Sequence, residues 1–201
     1  MVVSKDFLKF MNYELNFYSK KRKVWHISGW NYCINNIKNK LCLDKSDAYL
    51  WRVMNCWGWG TWKNRWKFFE KNPDTIMKNW NDSKIKKFNL DGNYNFFSQI
   101  VRNKENKINT WAIFWYATIF NHKGLCLNPK ITLTRNNGFG KFSAHSPFKD
   151  FNNLKLKIFL NYSINLPKLL KEDSDFVNII KNYLKNNFFK KIFNYLINLA
   201  K

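Results

Sequence analysis

Short apolar segments that suit strands alternate along this chain with segments of helical spacing. Residues 24–30 and 48–54 are rich in β-branched and aromatic side chains and predict strands, whereas residues 7–18 and 111–122 predict helices. Strands that alternate with helices are typical of an α/β fold. The chain has 201 residues, of which 45% are hydrophobic, so it can bury a core of its own. We therefore expect a folded α/β protein.

Two further segments are predicted from local signals. Thr61 is a residue type that caps helices, so residues 61–70 predict a helix that ends before Pro73. Residues 79–95 are polar and rich in lysine, which predicts a surface loop.

The chain carries a large excess of positive charge. It has 35 Lys and Arg against 13 Asp and Glu, a formal net charge of +22, and 30 of the 35 basic residues are Lys. Such a balance is typical of proteins that bind nucleic acid or an anionic membrane. The lysines are dispersed, however, and no nucleic-acid-binding motif is present. We expect no specific nucleic-acid partner, and a basic nucleic-acid-binding module or a membrane-surface interaction protein remains an alternative function.

The N-terminus and the Cys and His spacings carry no targeting or metal-binding signal. The first residues have no basic region followed by an apolar run, and the longest apolar block, residues 111–120, is about half of what a membrane-spanning helix needs. We expect a cytoplasmic protein, either free or peripheral on the inner face of the membrane. The four Cys and three His lie at no metal-ligand spacing, so no zinc site is predicted.

Three blocks carry a family resemblance, and they occur in a fixed order over residues 4–146. The first joins residues 7–11 to residues 24–31, the second is the Trp- and Gly-rich run at 57–62, and the third joins Asn109-Thr110-Trp111 to Asn137-Gly138-Phe139-Gly140 and His145. Together they resemble the C-terminal part of GT-A-fold, Rossmann-like glycosyltransferases. These are bacterial nucleotide-diphospho-sugar transferases similar to eukaryotic N-acetylglucosaminyltransferases. The resemblance implies an ancestral transfer of a sugar from a nucleotide-sugar donor to a surface glycan or lipid-linked acceptor.

The resemblance implies a sugar site at the second and third blocks. Flat aromatic faces and close backbone approach suit a sugar, whose C–H faces are ringed by hydroxyls. A hydrophobic corner between a strand and a helix would show the same residues, so at least one tryptophan of the second block is expected to be core. Arg52 is expected either to contact a diphosphate or to lie in solvent. The implied substrate-binding residues are Arg52, Trp57, Gly58, Trp59, Trp62, Trp111, Gly138, Phe139 and His145.

Two departures from the family pattern bear on activity. Family members place an acidic pair, which binds Mn²⁺ or Mg²⁺, directly before the segment that corresponds to Met1, and the expected catalytic Asp is Ala112 here. A methyl group cannot accept a proton, and base catalysis is commonly worth about 10²–10⁴-fold. We therefore expect no catalytic residue, no cofactor in this chain, and a truncated protein that is inactive alone. A nucleotide-sugar, a glycan acceptor and Mn²⁺ or Mg²⁺ are expected of an intact homologue.

The sequence after residue 146 predicts a basic helical tail. We expect a glycosyltransferase-like C-terminal subdomain at 1–146, without the nucleotide-binding half, and a tail at 147–201. Apolar residues from Val177 to Leu199 recur at helical spacing and predict an amphipathic helix. That helix is expected either to pack on its own domain or to lie on an anionic membrane surface through residues 173–201.

Overall fold

The computed structural model describes residues 1–32, 34, 46–136 and 164–199, with side chains as far as residue 186. In chain order the elements are β1 (Val2–Val3), α1 (Phe7–Phe17), β2 (Val24–Ser28), β3 (Ala48–Trp51), β4 (Trp59–Gly60), α2 (Lys63–Trp66), α3 (Pro73–Asn79), α4 (Asp82–Phe88), α5 (Phe97–Lys104), α6 (Ala112–Asn121), β5 (Leu125–Pro129), β6 (Thr134–Arg135) and α7 (Ser174–Leu199). The fold is mixed α/β, as the sequence predicts.

A four-stranded sheet in the order β3, β5, β2, β4 lies at the centre. Strands β2 and β5 are parallel, with Ile27 beside Leu127, whereas β3 runs antiparallel to β5 and β4 antiparallel to β2. The short strands β1 and β6 form a separate antiparallel pair. The sheet is therefore mixed, and β2 and β5 are its two central strands.

Alternate side chains of the strands point to opposite faces of the sheet, and each face is covered by helices. On one face Tyr49 and Trp51 join a core built from α3 to α7. On the other face Ala48 and Leu50 join a smaller core that contains Phe10 of α1. All four residues of β3 are fully buried. The sequence of β3 is accordingly a continuous apolar run and not an alternation of apolar and polar residues.

The described part of the tail packs against the larger core. Helix α7 buries four apolar side chains there: Phe176, Val177, Ile180 and Leu184. Phe176 stacks on Tyr49 with ring centroids 3.8 Å apart. The apolar residues of the first half of α7 therefore lie inside the protein, and no described helix combines the length and apolar character needed to cross a membrane.

Two local expectations from the sequence are wrong. Residues 79–95 are not a simple loop, because they contain α4, where the Asn81 side chain accepts a hydrogen bond from the Lys84 amide. Two of the apolar residues of this segment, Phe88 and Leu90, are fully buried. Thr61 does not cap a helix, because its hydroxyl donates to the Trp25 carbonyl at 2.6 Å, and α2 is only four residues long.

Candidate functional site

A cavity of about 300 Å³ lies between the segment that follows β3 and the start of α6. Its walls are mostly aromatic and apolar, with Asn55, Gln99 and the tyrosines as polar groups. The lining residues are Trp30, Met54, Asn55, Cys56, Trp57, Tyr94, Phe96, Gln99, Ala112, Ile113 and Tyr116. Trp57 of the second block and Ala112, the residue directly after Trp111 of the third block, thus border one concave site.

The turn at Trp57 and Gly58 is held by backbone contacts to its neighbours. The Gly29 amide donates to the Gly58 carbonyl at 2.6 Å, and the Thr134 hydroxyl donates to the Trp57 carbonyl at 3.3 Å. Gly58 has a φ of +64°, and a Cβ there would lie 2.7 Å from the Thr134 side chain and 2.8 Å from the Phe7 ring. The missing side chain at Gly58 therefore allows Thr134 and Phe7 to pack closely against the turn, and the close contact is within the protein, not with a ligand. The Trp57 indole meets Trp30 edge to face at 5.0 Å.

Trp59 and Trp111 are in contact behind this turn. Their ring centroids are 5.1 Å apart, and Trp59 also stacks on the His26 imidazole at 5.2 Å. Neither ring lines the cavity, so this contact joins the Trp-rich turn to the start of the Trp111 helix without placing Trp59 or Trp111 in the concave site that Trp57 borders. The other expected members of the site, Gly138, Phe139 and His145, lie outside the described residues.

Two predicted site residues have structural partners instead. The Trp62 Nε1 donates to the Leu15 carbonyl at 3.0 Å, and the ring packs against the smaller core, so Trp62 is a core residue. The Arg52 guanidinium makes a bidentate pair with Glu172, with Nη2 2.7 Å from one carboxylate oxygen, and a further contact with Asp91 at 3.1 Å. Arg52 thus joins β3 to the tail and is not placed to bind a diphosphate in the cavity.

His26 is a buried residue next to the site that the sequence did not reveal. Its Nε2–H donates to the Asn55 carbonyl at 2.9 Å, and its Nδ1 accepts from Trp115 Nε1 at 3.2 Å. Burial lowers the pKa of His26 to about 4, against the opposing effect of the hydrogen bond to Asn55. The imidazole is therefore neutral at pH 7 and fixes the backbone of Asn55 at the cavity wall. A histidine in the middle of the apolar strand Val24–Ser28 was the only available signal.

The polar groups of the cavity suit binding rather than proton transfer. The Asn55 side-chain amide nitrogen is buried and has no hydrogen-bond partner among the described residues. The described lining residues include no Asp, Glu or His, and Ala112 presents a methyl group. The described lining can therefore donate hydrogen bonds and stack aromatic faces, but it contains no carboxylate or imidazole.

The acidic, His and Cys side chains of the described residues are not arranged for a divalent metal. They form no group of three or more placed to hold a metal ion. Asp6 and Asp47 both line a separate, small cavity, but no third such side chain joins them there. The described residues therefore do not fit a Mn²⁺ or Mg²⁺ centre.

Comparisons with known proteins leave the resemblance as a matter of sequence motifs. No protein-family model, curated protein or solved structure matches this chain.

Proposed function

We propose that this chain is a glycosyltransferase-like domain of the GT-A type that binds a sugar in the cavity between Trp57 and Ala112. The observation that carries the proposal is that Trp57 of the second block and Ala112, the residue directly after Trp111 of the third block, line one aromatic cavity. The ligand would be the sugar of a nucleotide-sugar donor or of a glycan acceptor. The same resemblance supplies the expected ancestral role in surface-glycan synthesis.

The size and chemistry of the cavity agree with a sugar ring. At about 300 Å³ it stands at the lower end of the range for small-molecule sites, which runs from about 300 to 1,000 Å³. One ring would fill such a space, and a whole nucleotide-sugar would extend beyond it. The Trp30 and Trp57 indoles offer apolar faces, while Asn55 and Gln99 offer amide groups for hydroxyls.

We further propose that the described chain binds sugar without transferring it. Ala112 occupies the position where the family resemblance implies the catalytic base. The described lining of the cavity contains no carboxylate or imidazole. Deprotonation of an acceptor hydroxyl would then depend on bulk water, which forgoes about 10²–10⁴-fold in rate. Incubation with labelled nucleotide-sugars and Mn²⁺ or Mg²⁺ should give no product beyond the no-protein rate. Metal-dependent turnover by homogeneous protein would contradict this part of the proposal.

Tryptophan fluorescence and calorimetric titration test the binding. The ligands are N-acetylglucosamine, glucose and galactose as methyl glycosides, and the corresponding uridine diphosphate sugars. We expect saturable binding of at least one of them, weakened about tenfold or more by Tyr94→Ala or by Gln99→Ala.

The matched control is Tyr13→Ala. Tyr13 is 47% exposed and Tyr94 is 44% exposed, but Tyr13 lies on α1, away from the cavity. Its variant should bind like the unaltered protein. Absence of saturable binding to every ligand, or equal losses in Tyr94→Ala and Tyr13→Ala, would contradict the proposal.

A further inference from the structure

Two half-exposed tryptophans and three lysines form a surface beside the cavity, here called the aromatic–lysine platform. It consists of Trp66, Trp111, Lys63, Lys67 and Lys71. Trp66 is 37% exposed and Trp111 is 38% exposed, and their ring centroids are 6.2 Å apart. Leaving large apolar faces in water costs free energy, at about 25 cal/mol per Å². Two adjacent exposed indoles are therefore typical of a contact surface.

Both tryptophans of the platform are packed against other aromatic rings. Trp66 lies parallel to Phe69 at 4.6 Å and contacts Trp115 at 4.9 Å. Trp59 touches both Trp66 at 5.7 Å and Trp111 at 5.1 Å. A ligand that stacks on these indoles would therefore not have to order them first, which lowers the entropic cost of binding.

The platform and the cavity are adjacent at the start of α6. Trp111 directly precedes Ala112, which lines the cavity, and the Trp59 ring that contacts Trp111 follows two residues after Trp57. Trp111 therefore belongs to the platform and the next residue to the cavity. A chain of several sugar rings is long enough to contact both.

The charge of the platform favours an anion. Lys63, Lys67 and Lys71 are exposed, and residues 63–71 contain one acidic residue, Glu70. The ion pairs among the described residues use neither Lys63 nor Lys67. Lys71 donates to the Asn109 side chain, and Lys67 lies 5.0 Å from the centre of the Phe68 ring. Two ammonium groups therefore remain for carboxylates of a ligand.

We propose that the aromatic–lysine platform binds an acidic saccharide chain, a glycan with carboxylate groups on its sugars. The inference rests on the proposed sugar-binding function and extends it to the substrate class. Indoles would stack on the sugar rings, and Lys63 and Lys67 would pair with uronate carboxylates. An anionic membrane fits the observations less well, because both indoles pack against other rings and α2, of four residues, is too short to form an amphipathic helix.

Titration with two hexasaccharides tests the inference. The probes are a hyaluronan hexasaccharide, which carries a carboxylate on every second sugar, and neutral chitohexaose. We expect the acidic probe to bind about tenfold or more tightly than the neutral one at low salt, and the preference to shrink as salt is added. Trp66→Ala should weaken both probes by about tenfold. The double variant Lys63→Ala and Lys67→Ala should abolish the preference while leaving chitohexaose binding unchanged.

The control double variant is Lys5→Ala and Lys78→Ala, which removes the same charge from exposed lysines elsewhere. It should keep the preference for the acidic probe. Equal binding of the two hexasaccharides, or equal losses in both double variants, would overturn the platform as an acidic-glycan site. Binding to phosphatidylglycerol vesicles that Trp66→Ala abolishes, without hexasaccharide binding, would overturn it in favour of a membrane surface.

The cavity and the platform are distinguished by Tyr94→Ala. If the methyl glycosides bind and respond to Tyr94→Ala but neither hexasaccharide gains affinity over them, the platform fails and the proposed function stands. If the acidic hexasaccharide responds to Trp66→Ala while no methyl glycoside binds, the cavity proposal fails and the platform stands on its own.

Discussion

Glu14 on α1 is the most unusual ionisable residue of the described chain. It is fully buried, and neither carboxyl oxygen has a hydrogen-bond partner among the described residues. Burial raises the pKa of Glu14 to about 8, with a further increase from Asp47 and an opposing effect of Lys21. The carboxyl is therefore protonated at pH 7, because ionising it in the core would leave an unpaired buried charge.

We predict that Glu14 lowers stability as the pH rises from about 4.5 to about 8. In this window the unfolded chain has released the proton and the folded chain still holds it, so the free energy of unfolding falls by up to about 1.4 kcal/mol per pH unit. Glu14→Gln should remove this slope. Urea unfolding at pH 6.5 and pH 8.5 measures it, because His26, whose pKa is lowered to about 4 by burial, contributes its opposite slope only between about 4 and 6.5.

The control for this measurement is Glu70→Gln, at an exposed carboxylate. Its unfolding midpoints should follow those of the unaltered protein at both pH values. Parallel pH profiles for Glu14→Gln and the unaltered protein would show that the Glu14 proton is not retained on folding.

At the scale of the turn, a comparison of Gly58 with Gly92 distinguishes backbone strain from a steric clash of an added side chain. Gly58 and Gly92 both have positive φ, +64° and +86°, but a Cβ at Gly58 would meet Thr134 and Phe7 while one at Gly92 would meet open space. Gly92→Ala should cost about 1–2 kcal/mol from backbone strain alone. We predict that Gly58→Ala costs more than Gly92→Ala and also weakens sugar binding, since the turn carries Trp57. Chemical denaturation of the two variants, together with titration of the methyl glycosides, checks both effects. Equal losses of stability would mean that Phe7 and Thr134 move aside.

At the scale of the tail, Phe176 tests whether α7 is part of the folded domain. Phe176 is fully buried and stacks on Tyr49, which is itself fully buried in β3. Phe176→Ala should therefore destabilise the whole protein by about 3–5 kcal/mol in a single transition. Phe17→Ala, at a ring that is 40% exposed, should cost much less. Loss of the α7 helical signal in a separate early transition, with the rest unchanged, would show that the tail folds independently.

The elements show what the sequence could predict and what it could not. Segments whose own composition sets their structure were found, such as β2 (Val24–Ser28) and α6 (Ala112–Asn121), because β-branched runs and helical spacing are local signals. Helix α4 was not predicted because lysines dominate its sequence, and its few apolar residues are too weak a local signal for a helix. Tertiary packing buries those apolar residues.

The candidate site was predictable only in part, for the same physical reason. Aromatic residues next to glycine indicated a turn near Trp57, but whether a tryptophan faces a cavity or a core depends on distant chain. Trp62 faces α1, through its bond to the Leu15 carbonyl, and Arg52 meets Glu172. Neither partner is near in sequence, so no local pattern could reveal these contacts.

At the scale of the whole molecule, the net charge of +22 predicts how the chain will respond to polyanions. Arginine is the residue that most often reads base edges, through bidentate bonds, whereas lysine contacts phosphates as a point charge. The chain has five arginines. Arg52 pairs with Glu172, and Arg65 is 4% exposed and donates to the Ser19 carbonyl at 2.9 Å.

We therefore predict that any binding to DNA or RNA is independent of sequence and steeply dependent on salt. Dispersed lysines bind phosphates by releasing counterions, so the affinity should fall by about 10³-fold or more between 50 and 200 mM salt if six or more phosphates are contacted. Fluorescence anisotropy with duplexes of equal length and different sequence measures this. The acidic hexasaccharide should displace bound DNA at a lower concentration than its charge alone predicts. Its sugar rings can stack on Trp66 and Trp111, whereas duplex DNA cannot stack its paired bases there. Tight binding of one nucleic-acid sequence at 200 mM salt would favour a nucleic-acid-binding module over a sugar-binding domain.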